Sequence, residues 1–207
     1  MSRQRAILLL IAVLAAAAVI VVLILGLRSG TPVGDLETAR LSLERGQPAK
    51  ALAEIDAWLA RHSDGAAPER PAALLMRADA LVAAGDVWNA LYGYESIIEE
   101  YGGTPAHDEA VRKELDLGTR LLRGEIVEPR FGSESKSRET GEELLMRVCE
   151  RAPGSAECER ALLELAQLYE REGNRQAAIV TYEVLIRQFP SGAAGTRAEQ
   201  RLRELSK

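Results

Sequence analysis

The sequence predicts an all-α chain, a single N-terminal transmembrane helix followed by an α-solenoid of helix hairpins, and three observations carry that prediction. Residues 161–190 read ALLELAQLYEREGNRQAAIVTYEVLIRQFP, in which Leu162, Leu165, Ala166 and Tyr169 share one helical face. Gly173-Asn174 breaks that helix, and Ala177, Ala178, Tyr182 and Leu185 form the apolar face of a second one. Next, the spacing of Ala166, Gly173, Ala178 and Tyr182 recurs at Ala39, Gly46, Ala51 and Ile55, and again at Ala78, Gly85, Ala90 and Tyr94. Finally, residues 6–27 (AILLLIAVLAAAAVIVVLILGL) hold no charged or strongly polar side chain. Aromatic residues make up only 4%, and β-branched runs are confined to this N-terminal stretch, which argues against a sheet.

Residues 6–27 would reach about 33 Å as a helix, enough to cross the hydrocarbon core. A cleaved secretory signal is the alternative, but its apolar region is usually about 7–15 residues long, and the following RSGTPVG offers no convincing cleavage site. An uncleaved anchor over residues 1–28 is therefore the reading adopted. No Cys lies near the end of the run, so lipidation there is not expected. Arg3 and Arg5 precede the span and Arg28 alone closely follows it, which places the N-terminus in the cytoplasm and the rest of the chain across a bacterial inner membrane, in the periplasm.

After a turn-rich linker at 29–34, the first hairpin is expected over 35–63 and the second over 69–102, with Pro71 suited to a first helical turn. Gly46 and Gly85 lie 39 residues apart, and the extra length falls in the loop around Gly65. A degenerate third hairpin is expected over 106–153. Its first helix runs from Ala106 to Arg123 with Ala110, Leu115 and Leu122 as core positions, an exposed loop follows from Gly124 to Arg138, and its second helix runs from Thr140 to Arg151 without the usual small residues. The clean hairpin at 157–190 comes next, and 194–207 forms a capping helix with a polar outer face. One hairpin cannot bury its apolar face alone, so the copies must stack.

The terms Ala166, Gly173, Ala178, Tyr182 and Pro190 resemble the tetratricopeptide repeat, whose period is roughly 34 residues. Small residues sit where helix axes cross closely, Gly closes the first helix and Pro stops the second. The segments YESIIEEYGG (94–103), KELDLGTRLLRGE (113–125) and the stretch from Thr140 to Gly192 further resemble the BamD-like outer-membrane assembly lipoproteins and their repeat-containing relatives. That resemblance implies periplasmic scaffolding around membrane-protein assembly. Those lipoproteins are held by lipid on an N-terminal Cys, where this chain has an apolar span.

Several chemistries are disfavoured. A net charge of −5, with no unopposed Lys/Arg block, argues against a nucleic-acid partner. His62 and His107 stand apart from each other and from both Cys, so no metal or cofactor site is expected. Adjacent carboxylates such as Glu99-Glu100 and Glu142-Glu143 point in different directions on a helix and read as solvated faces. No nucleotide-binding glycine loop or nucleophile elbow occurs. Trp58, Trp88 and the tyrosines fall at helical spacing, as packing residues do. Cys149 and Cys158 flank the Pro153-Gly154 turn. In an oxidising periplasm a bridge between them would close a loop of about 10 residues, and two buried thiols are the alternative.

The function expected is that of a non-enzymatic, membrane-anchored scaffold whose repeat groove binds proteins or peptides. By repeat geometry the groove positions are Arg40, Leu43, Leu75, Asp79, Val82, Leu163, Gln167 and Glu170, with the leucines and Val82 giving apolar contact and Asp79 and Glu170 orienting a basic or amide-bearing partner. Two rival readings are a translocon-associated chaperone-like subunit and an enzyme with its site in residues 124–138.

Overall fold

In a computed structural model the described residues are 36–63, 65, 67–205 and 207, so the expected membrane span lies outside them. Among the described residues there are nine α-helices and no strands: α1 Leu36–Glu44, α2 Pro48–Arg61, α3 Arg70–Ala83, α4 Val87–Glu100, α5 Pro105–Leu122, α6 Glu134–Arg151, α7 Ala156–Arg171, α8 Arg175–Gln188 and α9 Ala193–Leu205. None of these helices is long and apolar enough to cross a membrane.

Each helix ends where its sequence dictates. Gly46, Gly85 and Gly173 take φ of +68°, +81° and +72°, a left-handed conformation that a side chain resists. After Gly85 and Gly173 the next helix starts on a capping side chain: the Asp86 carboxylate accepts from the Asn89 backbone N–H at 3.1 Å, and the Asn174 side chain accepts from Ala177 N–H at 3.3 Å, whereas the helix after Gly46 starts at Pro48 without a side-chain cap. Between paired helices the crossing residues are small and buried, namely Ala39 with Ala51, Ala78 with Ala90 and Ala166 with Ala178. The three clean hairpins thus form from the terms that marked them in the sequence.

Neighbouring helices pack throughout, and each odd-numbered helix also touches the next odd-numbered one, from α1 to α9. The even-numbered helices approach one another less closely among the described residues. The stack therefore curves with its odd helices on the inner side and its even helices splayed on the outer side. One core cluster joins hairpins two and three to Leu165 and Leu168 of α7, a second joins the fourth hairpin to α9 through Ala198, and a smaller one packs the first hairpin against Ala80 of α3.

The third hairpin departs from expectation in two ways. Its second helix begins at Glu134, six residues before the expected Thr140, because Ser133 caps it by accepting from Lys136 N–H at 3.1 Å. The segment from Gly124 to Arg138 is accordingly no fully exposed loop: Pro129–Phe131 forms a 3-10 turn, and Glu128 and Ser137 are buried. Nor does the helix pair lack small residues at its crossing. A Cβ on Gly141 would stand 2.5 Å from Leu122 N and 2.7 Å from Gly118 O, so Gly118 and Gly141 bring the α5 and α6 backbones together as the alanines do elsewhere.

Candidate functional site

On the inner side α1, α3 and α5 enclose a cleft of about 570 Å³. Leu43, Val82 and Leu117 supply its apolar lining, and Asp79, Lys113, Asp116 and Arg120 its charge. Asp79 accepts from the Tyr94 hydroxyl at 2.7 Å and from Lys113 Nζ at 3.1 Å. Burial first, and the neighbouring Asp79 carboxylate second, push the Tyr94 hydroxyl far above the usual tyrosine range, so it remains a proton donor. Asp116 and Arg120, one turn apart on α5, make no side-chain hydrogen bond or ion pair among the described residues, which leaves both free to meet a ligand.

Further along the inner side, Gln167, Glu170 and Arg171 of α7 and Arg201 of α9 line a shallower cleft of about 340 Å³. Glu170 accepts from the Tyr182 hydroxyl at 2.6 Å and is paired with Arg201. The hydrogen bond from Arg201, helped by the one from Tyr182 and opposed by burial, holds the Glu170 carboxyl below the usual range.

The eight groove positions expected from sequence therefore divide. Leu43, Asp79 and Val82 meet in the first cleft, and Gln167 and Glu170 in the second. Arg40 is exposed and bound to Glu37 and Glu44 on its own helix, whereas Leu75 and Leu163 are half-buried against the core clusters. Asp79 and Glu170 were expected to orient a basic or amide-bearing partner, and both carboxylates are engaged by cations and tyrosines of the chain. The free polar pair, Asp116 and Arg120, was missed because i, i+4 charges on a helix ordinarily signal only a solvated face.

The linker between α5 and α6 is organised around Glu128, only 3% exposed. Its carboxylate accepts from Trp88 N–H at the start of α4 (3.2 Å), from Arg130 N–H (3.0 Å) and from Arg130 Nε (3.1 Å), while its own N–H donates to Ser137 Oγ (3.1 Å). Arg130 also pairs with Asp86, the α4 cap. Burial opposes the charge on Glu128, but these hydrogen bonds outweigh it and hold the carboxyl below the usual range. Glu128, the buried acid of residues 124–138, thus fastens the linker to the second hairpin.

A fourth feature lies on the outer side, where the splay of α4 and α6 opens a pocket of about 180 Å³. Trp88, Leu91 and Tyr92 of α4, Phe131 of the linker and Leu144 of α6 wall it, and Glu114 of α5 reaches it from the core side. The Tyr92 and Phe131 rings lie 5.8 and 5.4 Å from the Trp88 ring, centroid to centroid, inclined to it by 55° and 54°. Beside them runs an ion network: Arg147 donates to Glu95 at 2.8 Å, and Arg151 donates to Glu95 at 3.1 Å and to Glu114 at 2.7 Å. Spacing alone could not show that a lengthened linker would return Phe131 to Trp88.

The two histidines fill local roles. The His62 ring stacks on Trp58 at 4.0 Å, and His107 Nδ1 lies 2.9 Å from Asp108. Cys149 near the end of α6 and Cys158 early in α7 are joined as a disulfide, with Cα atoms 4.5 Å apart, so the α6–α7 turn is closed covalently.

A curved stack of helix hairpins with a cleft on its inner side defines a helical-repeat fold. Residues 160–192, which cover most of α7, all of α8 and the turn after it, match the tetratricopeptide repeat family. No curated protein matches the chain.

Proposed function

We propose that the protein is a membrane-anchored scaffold that holds an extended polypeptide along the inner side of its repeat stack. The observation that carries this reading is the α1–α3–α5 cleft, where Leu43, Val82 and Leu117 lie beside Asp116 and Arg120, which are unpaired among the described residues. Apolar side chains there can take alternate residues of a bound strand, and one free acceptor and one free donor can engage its backbone amides. The match to the tetratricopeptide repeat, a fold that mediates protein–protein contacts, supports the same reading.

The apolar run at 6–27 and the arginines around it support an inner-membrane anchor with the repeats in the periplasm. The Cys149–Cys158 bridge fits such an oxidising compartment. Within it, the likeness of residues 94–103, 113–125 and 140–192 to the BamD-like proteins favours a role in envelope or outer-membrane protein assembly. A chaperone-like subunit beside the translocon is the second reading, since it would use the same anchor and groove.

The test reverses the two free charges. Asp116→Arg with Arg120→Asp in the full chain is expected to weaken co-purification of the in vivo partner by roughly tenfold while leaving the helical signal unchanged. Equal capture by both forms would reject the cleft as the binding site. Assembly-machine components in the captured complex would favour the first reading, and emerging secretory chains the second.

A further inference from the structure

The outer pocket between α4 and α6 is not accounted for by an inner-side groove. We propose that it is a second binding site, one that takes an organic cation: the side chain of a lysine or arginine on a partner polypeptide. Three kinds of observation carry this.

The first is the wall. Trp88, Tyr92 and Phe131 surround a space of about 180 Å³, the scale of one side chain, and aromatic rings attract a cation through their quadrupoles. Tyr92 is 61% exposed, so its ring is accessible to an entering group. Splaying of the outer helices leaves the space open, and the linker turn at Pro129–Phe131 supplies its third ring.

The second is the floor. Glu114 is 2% exposed and lines the pocket, with Oε2 bound to Arg151 at 2.7 Å. Its other oxygen, Oε1, has no bonded partner among the described residues. Burial raises the Glu114 carboxyl above the usual range, opposed by the nearby Arg151 and Arg147.

The third is the charge balance. The lining carries two carboxylates, Glu95 and Glu114, against the single guanidinium of Arg147, which is bound to Glu95. Arg151, outside the lining, bridges both carboxylates and brings the four groups to neutrality. An entering cation would therefore gain Oε1 of Glu114 and three aromatic faces without displacing either arginine. An entering anion would meet the same carboxylates and lose.

The experiment uses the full chain carrying Trp58→Phe, which leaves Trp88 as the only tryptophan, and follows its emission. The probes are end-blocked Gly-Arg-Gly and Gly-Lys-Gly, with end-blocked Gly-norleucine-Gly as the apolar control and tetramethylammonium chloride as the free cation, all at one ionic strength. Saturable change with the Arg or Lys peptide is expected, and none with the norleucine peptide. Tyr92→Ala, at an exposed position that should not disturb folding, should weaken binding roughly two- to fivefold. Glu114→Gln, which keeps shape and a hydrogen bond to Arg151, should weaken it at least as much, with an unchanged helical signal as the control for folding.

Equal response to the norleucine peptide, no saturable change, or affinities untouched by both variants would overturn the proposal. Tetramethylammonium binding as tightly as the peptides would overturn the assignment to a polypeptide side chain. The inner cleft contains none of these residues, so either result leaves the groove reading standing.

Discussion

Glu128 shows how a single buried acid can hold a linker in place. Its carboxyl is held below the usual range, so the charged form contributes stability that is fully present above the unfolded-state value and is lost as pH falls through the folded value. The loss belongs below about pH 4. Glu128→Gln is expected to cost about 1–3 kcal/mol at neutral pH, since hydrogen bonds to a charged group become bonds to an amide that also carries donors of its own. The variant should also lose less stability than the wild type between pH 5 and pH 3. Thermal midpoints across that range check both statements, and a parallel pH response in the two forms would contradict them. Glu128 was hidden in the sequence because a linker rich in Gly, Pro and alternating charge reads as solvated. Its partners, Trp88 and Ser137, are 40 and 9 residues away. By contrast Ala39, Ala78, Ala166 and their partners were legible because each hairpin repeats one local spacing.

Among the elements, α5 and α6 were the least legible pair. In the clean hairpins the crossing alanines are twelve residues apart, whereas Gly118 and Gly141 are 23 apart, so the longer connection removed the period that would have revealed them. The start of α6 was readable in hindsight from Ser133 followed by Glu134, a capping residue and a first-turn acid. Close approach at this crossing predicts that Gly141→Ala will destabilise the protein by about 1–3 kcal/mol, because the atoms that its Cβ would meet belong to the α5 backbone and cannot rotate away. Gly102→Ala is the control, since its Cβ would meet nothing within 4 Å and its φ is not left-handed. Urea unfolding of the two variants should separate them, and equal midpoints would mean that the helices are free to move apart.

At the scale of the molecule, curvature follows from the odd helices packing on one another while the even ones splay. One arrangement thus produces both the inner clefts and the outer aromatic pocket. The helix hairpins were legible from period alone, whereas of the eight expected groove positions only Leu43, Asp79, Val82, Gln167 and Glu170 line the two clefts. The outer pocket was not legible, because it depends on where the linker returns. The anchor proposed for residues 6–27 predicts that a reporter active only outside the cytoplasm will work when fused after Lys207. Activity of a cytoplasm-only reporter at that site would reverse the orientation. The central claim is that the inner side of the stack holds a polypeptide, and its most direct test is photocrosslinking in living cells. A photoreactive residue is placed at Val82, in the inner cleft, or at Val180, 48% exposed on α8. The account predicts a discrete partner adduct from position 82 and none from position 180. Adducts of equal yield from both positions, or from position 180 alone, would contradict it.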